Sequence, residues 1–435
     1  MAADSHPEVV EICRDLLRID TTNTGDTRTS VGERVAAEYL AARLAEVGVE
    51  TRLLESATKR ASLVARIEGT DPSRGALLVH GHLDVVPAEA SEWSVDPFAG
   101  EIREGYLWGR GAIDMKDFDA MLVSVVRQWR RTGIRPPRDV VLVFTADEEA
   151  GGDYGGHWLV DHHADLLDGC TEAIGEVGGF SYSISDDLRL YLVQTAEKGI
   201  DWLRMTARGR PGHGSMQHDD NAVTALCEAV ARLGRHRFPI VVTATVRSFL
   251  AEVSDALGVP LDPDDPETAI AKLAPIAALI GATIRNTANP TRLAAGYKEN
   301  VIPSRATATI DCRTLPGQDE SFLDELRAII GPDFEIEHVQ RQPALETLFD
   351  GALVDAMAYA LRAEDPGARA VPYMLSGGTD AKAWTRLGIR CFGFTPLRLP
   401  PDLDFAGLFH GIDERVPLDA LTFGTRVLDR FLRAS

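Results

Sequence analysis

The stretch ALLVHGHLDVV, residues 76–86, decides the fold prediction because it is almost entirely apolar yet carries two histidines and an aspartate. A nearly continuous apolar run predicts a strand that is buried on both faces in the centre of a sheet. Side chains alternate between the two faces of a strand, so His82 and Asp84 point the same way. A carboxylate beside a metal-binding histidine can accept its second N–H and fix the ring. The stretch therefore predicts a central strand that ends in chemically active side chains.

A second run of the same type, DVVLVFT at residues 139–145, supports this prediction. Three helices and a further strand are predicted around the two runs, over residues 7–19, 30–47, 115–131 and 63–67. Strands that alternate with helices predict an α/β fold with a mostly parallel central sheet. Ligand sites of such sheets lie outside the carboxyl ends of the strands. His82 lies late in one strand and Glu148 and Glu149 follow another, so both placements agree with a site there.

The pattern changes after about Gln194, where a smaller sheet-and-helix unit is predicted. Its strands and helices are expected at residues 199–208, 221–234, 306–313, 320–330 and 334–339. A helix at 351–361, a strand at 391–394 and a last helix at 417–433 then return to the α/β type. We therefore predict a first domain built from residues 1–196 and 342–435, with a second domain inserted over residues 197–341.

The composition describes a globular protein and argues against a nucleic-acid partner. Hydrophobic residues make up 45% and charged residues 26% of the 435 residues, which is typical of a chain with a sizeable core. The formal net charge is −21 and no basic stripe stands out, so nucleic-acid binding is not expected.

No membrane or secretory segment is expected either. The start of the chain, Met1–His6, lacks the basic and apolar regions of a signal peptide. The longest nearly apolar stretch, about residues 273–284, is too short to span a bilayer. The five cysteines are scattered and form no Cys-x-x-Cys, so neither a disulfide framework nor a thiolate zinc site is indicated. A cytoplasmic location is the expectation.

Metal-ligand residue types recur along the chain in an order that suggests one site. They are His82, Asp114, Glu148, Glu149, Glu176 and His410. Adjacent glutamates after an apolar strand could divide the work, one binding metal and the other transferring a proton. Two ions that flank a shared carboxylate can activate a water. These residues therefore suggest a two-metal hydrolase.

Three sequence signatures carry a family resemblance: Leu77–Pro87 (LLVHGHLDVVP), Gly109–Lys116 (GRGAIDMK) and Thr145–Gly151 (TADEEAG). In combination they resemble those of the di-zinc exopeptidases and deacylases, which include carboxypeptidase G, aminoacylase, carboxypeptidase S, acetylornithine deacetylase and succinyl-diaminopimelate desuccinylase. The resemblance covers nearly the whole chain. It implies a zinc-exopeptidase-type catalytic domain over 1–196 and 342–435. The insert at 197–341 is then a ferredoxin-like α+β lid or dimerisation domain.

The resemblance also implies two zinc ions per chain, for which cobalt or manganese can substitute. His82 and Glu176 then belong to the first zinc site, and Glu149 and His410 belong to the second. Asp114 bridges the two ions.

The same resemblance implies the catalytic residues. Glu148 is the general base and acid, and Asp84 orients His82 from behind. A cis peptide bond between Asp114 and Met115 is implied as well. In the family, a glutamate at the position of Glu176 tends to accompany deacylases and carboxypeptidases rather than aminopeptidases.

Motifs farther along resemble elements that meet the substrate. Gly209–Ser215 (GRPGHGS) resembles a lid motif whose histidine, here His213, reaches the active site, often that of the partner in a homodimer. The implied substrate-binding residues are Asn300, Arg313, Gly378 and Thr379. Arg313 suits a free carboxylate because its planar fork can bind both oxygens.

Plainer interpretations stay open for several of these residues. His80 shares the strand face of His82 and is interpreted as a packing or supporting residue. His213 follows Pro211 and Gly212 and could belong to an ordinary turn. Arg313 could pair with Asp311 instead of binding substrate.

We predict a zinc-dependent hydrolase that cleaves the amide bond of N-acyl amino acids or short peptides, of the aminoacylase or carboxypeptidase type. One alternative is a biosynthetic deacylase such as acetylornithine deacetylase or succinyl-diaminopimelate desuccinylase, and another is a dipeptidase. A non-catalytic binding protein on the same fold is a remote alternative, because every expected ligand type and the base are present.

Overall fold

The computed structural model describes residues 7–185, 188–273 and 276–435. The N-terminal segment in which no signal peptide is expected, and residues 274–275 of the apolar stretch, lie outside the described residues. Within the described parts of the chain, none of the helices has the length and apolar character that a bilayer crossing requires.

The described residues form twelve α-helices. They are α1 Glu8–Leu17, α2 Arg34–Ala45, α3 Lys116–Thr132, α4 Gly156–His163, α5 Ala222–Arg235, α6 Ala244–Leu257, α7 Pro266–Ala271, α8 Ala277–Gly281, α9 Asp319–Ile330, α10 Ala352–Glu364, α11 Ala381–Trp384 and α12 Leu418–Ala434.

The described residues also form nineteen β-strands. They are β1 Arg52–Ala57, β2 Arg60–Ile67, β3 Ala76–His82, β4 Glu101–Arg103, β5 Tyr106–Trp108, β6 Val140–Thr145, β7 Cys170–Gly175, β8 Phe180–Ser185, β9 Leu188–Glu197, β10 Gly199–Arg208, β11 Gly212–His213, β12 Thr287–Ala295, β13 Val301–Ile302, β14 Arg305–Thr314, β15 Phe334–Gln342, β16 Leu345–Glu346, β17 Ala368–Leu375, β18 Arg390–Gly393 and β19 Arg415–Pro417.

The chain divides into two compact units. The first holds the described residues up to Gln194 together with Phe349–Pro372 and Thr379–Ser435. The second holds Thr195–Leu348 and the short segment Tyr373–Gly378. Each unit is built around its own sheet.

The sheet of the first unit has a parallel centre. β6, β3, β7 and β18 lie side by side in that order, and each neighbouring pair is parallel. β1 and β2 extend the sheet on one side and β9 on the other, all by antiparallel pairing. Every residue of β3 and of β6 is buried, as their apolar sequences predict. The predicted α/β fold with a mostly parallel central sheet is confirmed.

The central strand β3 is shorter than expected, because it ends at His82 and not at Val86. Beyond His82 the chain leaves the ladder, and Val85 forms an isolated parallel bridge with Thr22 near the start of the chain. Leu83 and Val85 are buried there although they lie outside β3. Burial alone therefore made the predicted strand too long.

Helix α3 follows its prediction closely. The apolar residues Met121, Val125 and Trp129 are fully buried on its inner side. The helix ends at Gly133, which adopts a left-handed conformation with φ 72°, where glycine has no steric penalty. α3 packs against α1 and α12 within the first unit.

The second unit has a four-stranded antiparallel sheet in the order β12-β14-β10-β15. With α5 and α9 in their chain positions this is a β-α-β-β-α-β unit, so the predicted ferredoxin-like fold is confirmed. Alternate residues of β10 and β14 pack with these helices in one apolar cluster. The sequence analysis missed helices α6, α7 and α8, which lie between α5 and β12. Pro260, Pro263 and Pro266 interrupt that segment, so its helical periodicity is short.

Candidate metal centre

The candidate ligands begin at the carboxyl ends of three neighbouring parallel strands. His82 is the last residue of β3, while Glu148 and Glu149 follow the end of β6. Glu176 comes directly after β7. Because β6, β3 and β7 are adjacent and parallel, their ends place these side chains at one edge of the sheet.

The first group of candidate ligands is His82, Asp114 and Glu176, whose ligand atoms all lie within 4.8 Å of one another. His82 Nε2 is 3.0 Å from Asp114 Oδ1 and 3.4 Å from Glu176 Oε2. All three residues are buried. Their atoms converge on one point, which is the arrangement that a bound cation requires.

The second group is Asp114, Glu149 and His410, again within 4.8 Å. His410 Nε2 lies 3.2 Å from Asp114 Oδ2 and 3.1 Å from Glu149 Oε2. Asp114 thus presents one oxygen to each group. A carboxylate shared in this way is what a pair of neighbouring metal ions requires.

The loop that carries Asp114 is fixed by Glu414. One oxygen of Glu414 accepts the backbone N–H of Gly111 at 3.1 Å, and the other accepts that of Ile113 at 2.8 Å. Arg110 pairs with the same carboxylate at 2.7 Å. The Asp114–Met115 peptide bond is cis, as the family resemblance implies.

Left-handed backbone conformations occur beside the candidate ligands. Asp147, Val177 and His410 have φ values of 67°, 54° and 56°. Such values are uncommon for residues other than glycine, and for a β-branched residue such as valine they indicate strain. Strained backbone clusters at functional sites, where the surrounding structure enforces it. Here it marks the turns that carry Glu148, Glu176 and His410.

The candidate ligands are better suited to surround a divalent cation than to lie together without one. Glu149 Oε1 is buried and accepts no hydrogen bond from the described residues, which is costly for a carboxylate unless a cation compensates. Burial and the Asp114 charge raise the pKa of Glu149 to about 7, although the hydrogen bond with His410 opposes them. Hydrogen bonds to Asp114 and Glu149 raise the pKa of His410 to about 10.

The raised pKa values of Glu149 and His410 favour their protonated forms when no cation is bound. Metal ligands bind in their deprotonated forms, so a bound cation would replace the protons. A histidine nitrogen combined with carboxylate oxygens in each group is a donor set that suits zinc. His82, Asp114, Glu149, Glu176 and His410 therefore fit the ligand roles that the resemblance implies.

The candidate base Glu148 lies beside the first group. Its Oε2 is 4.0 Å from His82 Nε2, and its side chain is 14% exposed. Burial and the charge of Glu176 raise the pKa of Glu148 well above its ordinary value, while His82 lowers it. A carboxyl group that can hold and return a proton is suited to acid–base work.

The Asp84 carboxylate is bonded mainly to the backbone of Glu148 and Glu149. Its two oxygens accept the N–H groups of Glu148 and Glu149, each at 3.1 Å. His82 Nδ1 lies 3.0 Å from the backbone carbonyl of Asp84 and 3.6 Å from its Oδ1. The ring of His82 is thus oriented by the Asp84 peptide group more closely than by the Asp84 side chain.

The remaining predicted residues fall mostly in the second unit. His213 is exposed and its Nδ1 is 2.8 Å from the Ser215 hydroxyl. Strands β11 and β13 pair next to it, and Gly214 donates to the backbone carbonyl of Asn300 at 3.0 Å. The structure therefore brings His213 and Asn300 into neighbouring turns of this unit.

Arg313 is paired within the second unit. Its Nε and Nη2 donate to the two carboxylate oxygens of Asp311 at 2.7 and 3.1 Å. Gly378 is the last residue of the second unit's segment Tyr373–Gly378, and Thr379 belongs to the first unit. The Thr379 hydroxyl accepts the backbone N–H of Ala381 at 3.1 Å.

Three buried residues near the centre escaped the sequence analysis. Asp380 accepts the Thr145 hydroxyl at 2.6 Å at the end of β6, and Glu414 supports the Asp114 loop. Asn23 contacts Asp84 and Asp147, and its N-terminal segment offered no signal. His80, interpreted as packing, lies edge-on against Trp384 with ring centroids 5.7 Å apart.

Residues 78–434 match the family model described as peptidase family M20/M25/M40. The chain belongs to this peptidase family. This confirms the family that the signatures indicate, and with it the prediction of a hydrolase that acts on amide bonds.

Full-length relatives are aminoacylases and an acyl-amino-acid enzyme. Human aminoacylase-1 is 27% identical over 441 residues, which cover 99% of this chain and 96% of the relative. The N-fatty-acyl-amino acid synthase/hydrolase PM20D1 of Xenopus tropicalis is 25% identical, covering 97% and 84%. The solved structure of a metallo-carboxypeptidase of the M20 family from Sulfolobus solfataricus shares the fold, with a TM-score of 0.73, 18% identity and coverage of 98% and 99%.

Proposed function

We propose that this M20-family hydrolase uses two zinc ions to remove the acyl group from N-acyl amino acids. One observation carries the proposal. Asp114 presents one oxygen to His82 and the other to His410, and a further carboxylate completes each group. Glu148 stands beside this pair without belonging to either group.

The chemistry divides between the cations and Glu148. Bound zinc would act as a Lewis acid and lower the pKa of a water to about 7. Glu148 takes a proton from the attacking water as its oxygen bonds to the amide carbon. The same side chain then gives that proton to the departing nitrogen as the C–N bond breaks. The products are a carboxylic acid and a free amine.

The acyl-amino-acid substrate class is supported by the relatives. Aminoacylase-1 and the acyl-amino-acid enzyme match this chain over nearly its whole length. Glu176 is the residue type that tends to accompany deacylases and carboxypeptidases. The second candidate is cleavage of short peptides, favoured by the metallo-carboxypeptidase that shares the fold.

Four residues of the second unit and Thr379 of the first are proposed to bind substrate. His213 supplies a hydrogen bond to the oxyanion, and Arg313 meets a free carboxylate. Asn300, Gly378 and Thr379 contact polar groups of the substrate. We further propose that the second unit forms a homodimer, as the resemblance of the His213 motif implies.

The proposed surroundings are those of a cytoplasmic enzyme with a small-molecule substrate and no nucleic-acid or membrane partner. The thiols of Cys13, Cys170, Cys227 and Cys312 are free in the structure. Free thiols persist in a reducing compartment.

A substrate panel tests the proposal. The purified chain, loaded with zinc, is incubated with N-acetyl, N-succinyl and long-chain N-acyl amino acids and with dipeptides, and the products are measured by mass spectrometry. We expect free amino acids from N-acyl substrates, loss of activity after chelation and recovery with zinc. Cleavage of dipeptides alone would favour the peptidase. No cleavage of any substrate by a chain that holds two zinc ions would favour the non-catalytic binding protein.

A further inference from the structure

The turn that carries Glu148 begins with an unfavourable backbone conformation. Asp147, just before it, has φ 67° and precedes a short 3-10 turn at Glu148–Ala150. A left-handed residue other than glycine persists only when its surroundings enforce it. The position of Glu148 therefore depends on whatever holds Asp147 and the next two peptide groups.

Two buried carboxylates hold this turn. Asp84 accepts the N–H groups of Glu148 and Glu149 at 3.1 Å each. Asp147 itself accepts the N–H of Tyr154 at 3.0 Å, which closes the far side of the turn. Both side chains are almost fully buried, with exposures of 0% and 4%. Two carboxylates in the same buried space repel each other unless donors lie between them.

Asn23 lies between the two carboxylates. Its Nδ2 donates to Asp84 Oδ2 at 2.8 Å and to Asp147 Oδ1 at 3.1 Å. The orientation of the amide is fixed from its other side, because Oδ1 accepts the Gly25 N–H at 3.0 Å and the Ser30 hydroxyl at 3.1 Å. The side chain is buried, with 4% exposure. The Asn23 amide group thus bridges the carboxylates of Asp84 and Asp147.

Arg60 supplies the positive charge. Its Nη2 forms an ion pair with Asp147, and its Nη1 pairs with Glu33 Oε1 at 2.8 Å. The guanidinium also lies 5.9 Å from the centre of the Tyr154 ring, whose backbone N–H binds Asp147. Three buried carboxylates therefore share one guanidinium and one amide. Buried ion pairs are weak evidence for a role in stability. The network that Asn23 and Arg60 form with the three carboxylates therefore needs another explanation.

We infer that Asn23 and Arg60 are positioning residues, which hold Asp84 and Asp147 so that the turn places Glu148 beside the metal centre. The inference rests on the proposed function, in which Glu148 is the base. Among the hydrogen bonds and ion pairs of the described residues, Asn23 and Arg60 reach the turn through the two carboxylates, and neither is paired with a candidate ligand. A base displaced by about 1 Å loses on the order of 10²-fold in rate.

The first test replaces Asn23 with aspartate, which keeps the shape of the side chain but replaces the bridging donor with a third carboxylate. We expect Asn23→Asp to lower kcat by at least about tenfold and to leave KM within about threefold. Thr29→Ala is the matched control, because Thr29 is exposed on the same loop and its hydroxyl bonds that of Thr24 rather than Asn23. We expect Thr29→Ala to keep kcat within about twofold.

A second measurement does not depend on turnover. Zinc is titrated into the metal-free protein by calorimetry, and the two binding steps are compared between the wild type and Asn23→Asp. We expect one step to weaken by at least about tenfold, since the backbone of Glu149 is also held by Asp84. The other step should change by less than about threefold, because Glu149 does not belong to the group of His82, Asp114 and Glu176.

Arg60→Lys keeps the inference testable if Asn23→Asp does not fold. A lysine cannot reach Glu33 and Asp147 at once, because these occupy separate nitrogens of Arg60. We expect the same loss of kcat and the same weakened zinc step. Arg66→Lys is the control on the same strand, since Arg66 forms a partly exposed pair with Asp139.

The outcomes separate the network from the proposed function. Equal kcat changes in Asn23→Asp and Thr29→Ala, or unchanged zinc binding with unchanged kcat in a folded variant, would overturn the positioning role. A wild type that cleaves nothing on the panel contradicts the proposed function, while the zinc titration still tests the network by itself.

Discussion

The candidate metal centre and the candidate substrate residues of the second unit are held in different ways. His82 is 1% exposed and lies between two carboxylates. His213 is exposed, and its ring contacts the Ser215 hydroxyl and backbone. Buried ligands receive their geometry from the fold itself. The fold restrains the exposed ring of His213 much less, so the role of this residue has to be measured.

The largest effect is expected at Glu148, because in the proposed function its carboxylate is the group that transfers the proton. Glu148→Gln keeps the size of the side chain but cannot take a proton. We expect kcat to fall by about 10³-fold, within the range of general-base removal, while both metal ions stay bound. Steady-state kinetics and metal analysis by mass spectrometry measure the two quantities.

Asp153→Asn is the matched control for Glu148→Gln. Asp153 is exposed on the same loop, so its substitution removes a nearby charge without touching the base. We expect nearly unchanged kcat. Loss of metal in Glu148→Gln would instead make Glu148 a ligand and contradict its assignment.

The two histidine ligands should differ in their effect on folding. His82→Ala removes the buried partner that Asp114 and Glu176 share, so the metal-free protein should lose about 3–5 kcal/mol of unfolding free energy. The side chain of His410 is 56% exposed, and His410→Ala should cost about 1 kcal/mol or less. Both variants should bind one zinc ion much more weakly. Denaturant unfolding with chelator, and zinc titration without it, measure these quantities.

Equal stability losses in the two variants would contradict this difference in burial. Unchanged zinc affinity in either variant would remove that histidine from the ligands. The comparison therefore tests separately what the fold contributes and what the cation contributes.

Much of the first unit could be predicted because burial leaves its mark on the sequence. β6 and β3 are apolar runs, and parallel strands expose ligands at their carboxyl ends, so His82, Glu148 and Glu149 could be placed together. The short antiparallel hairpin of β4 and β5 and the helices α6 to α8 could not be predicted. Their segments are brief and interrupted, and tertiary contacts rather than local periodicity decide their structure.

The supporting residues of the site could be predicted less well. Asp84 was expected to act on His82, yet its carboxylate holds the peptide groups of Glu148 and Glu149. Asn23 is 124 residues away from Asp147, its bonding partner. A sequence shows that a polar residue is present, but only the fold shows which distant backbone group it reaches.

A smaller effect is expected at His213, where the second unit is tested directly. If His213 donates to the oxyanion, His213→Ala should lower kcat by about 10²-fold and leave zinc content unchanged. His218→Ala is the control, because His218 is a neighbouring histidine whose Nδ1 lies near the backbone carbonyl of Asp220. Nearly unchanged kcat in His213→Ala would leave an ordinary turn histidine.

Mixed chains test whether His213 acts across a homodimer. Chains with His213→Ala are combined with chains carrying Glu148→Ala, each of which is expected to have little activity alone. Recovered activity is expected if one site of the mixed dimer receives both groups intact. A mixed dimer shown by mass spectrometry that stays inactive would exclude the cross-subunit role.

The smallest effect is expected at Arg313, because Asp311 already holds part of its guanidinium. Asp311 accepts from Nε and Nη2, so a substrate carboxylate would meet Nη1. Arg313→Lys keeps the charge but loses the planar fork that can serve two carboxylates. We expect KM for N-acyl amino acids to rise about tenfold, a change of about 1.4 kcal/mol, with kcat nearly unchanged because substrate and transition state lose the same contact. Arg305→Lys, at the start of the same strand β14, should leave KM unchanged.

A substrate analogue whose carboxylate is amidated sharpens the measurement of the role of Arg313. If Arg313 binds that group, the analogue should be a poor substrate of the wild type and should no longer distinguish it from Arg313→Lys. If Arg313 serves only its pair with Asp311, the two enzymes should keep the same KM ratio for both substrates.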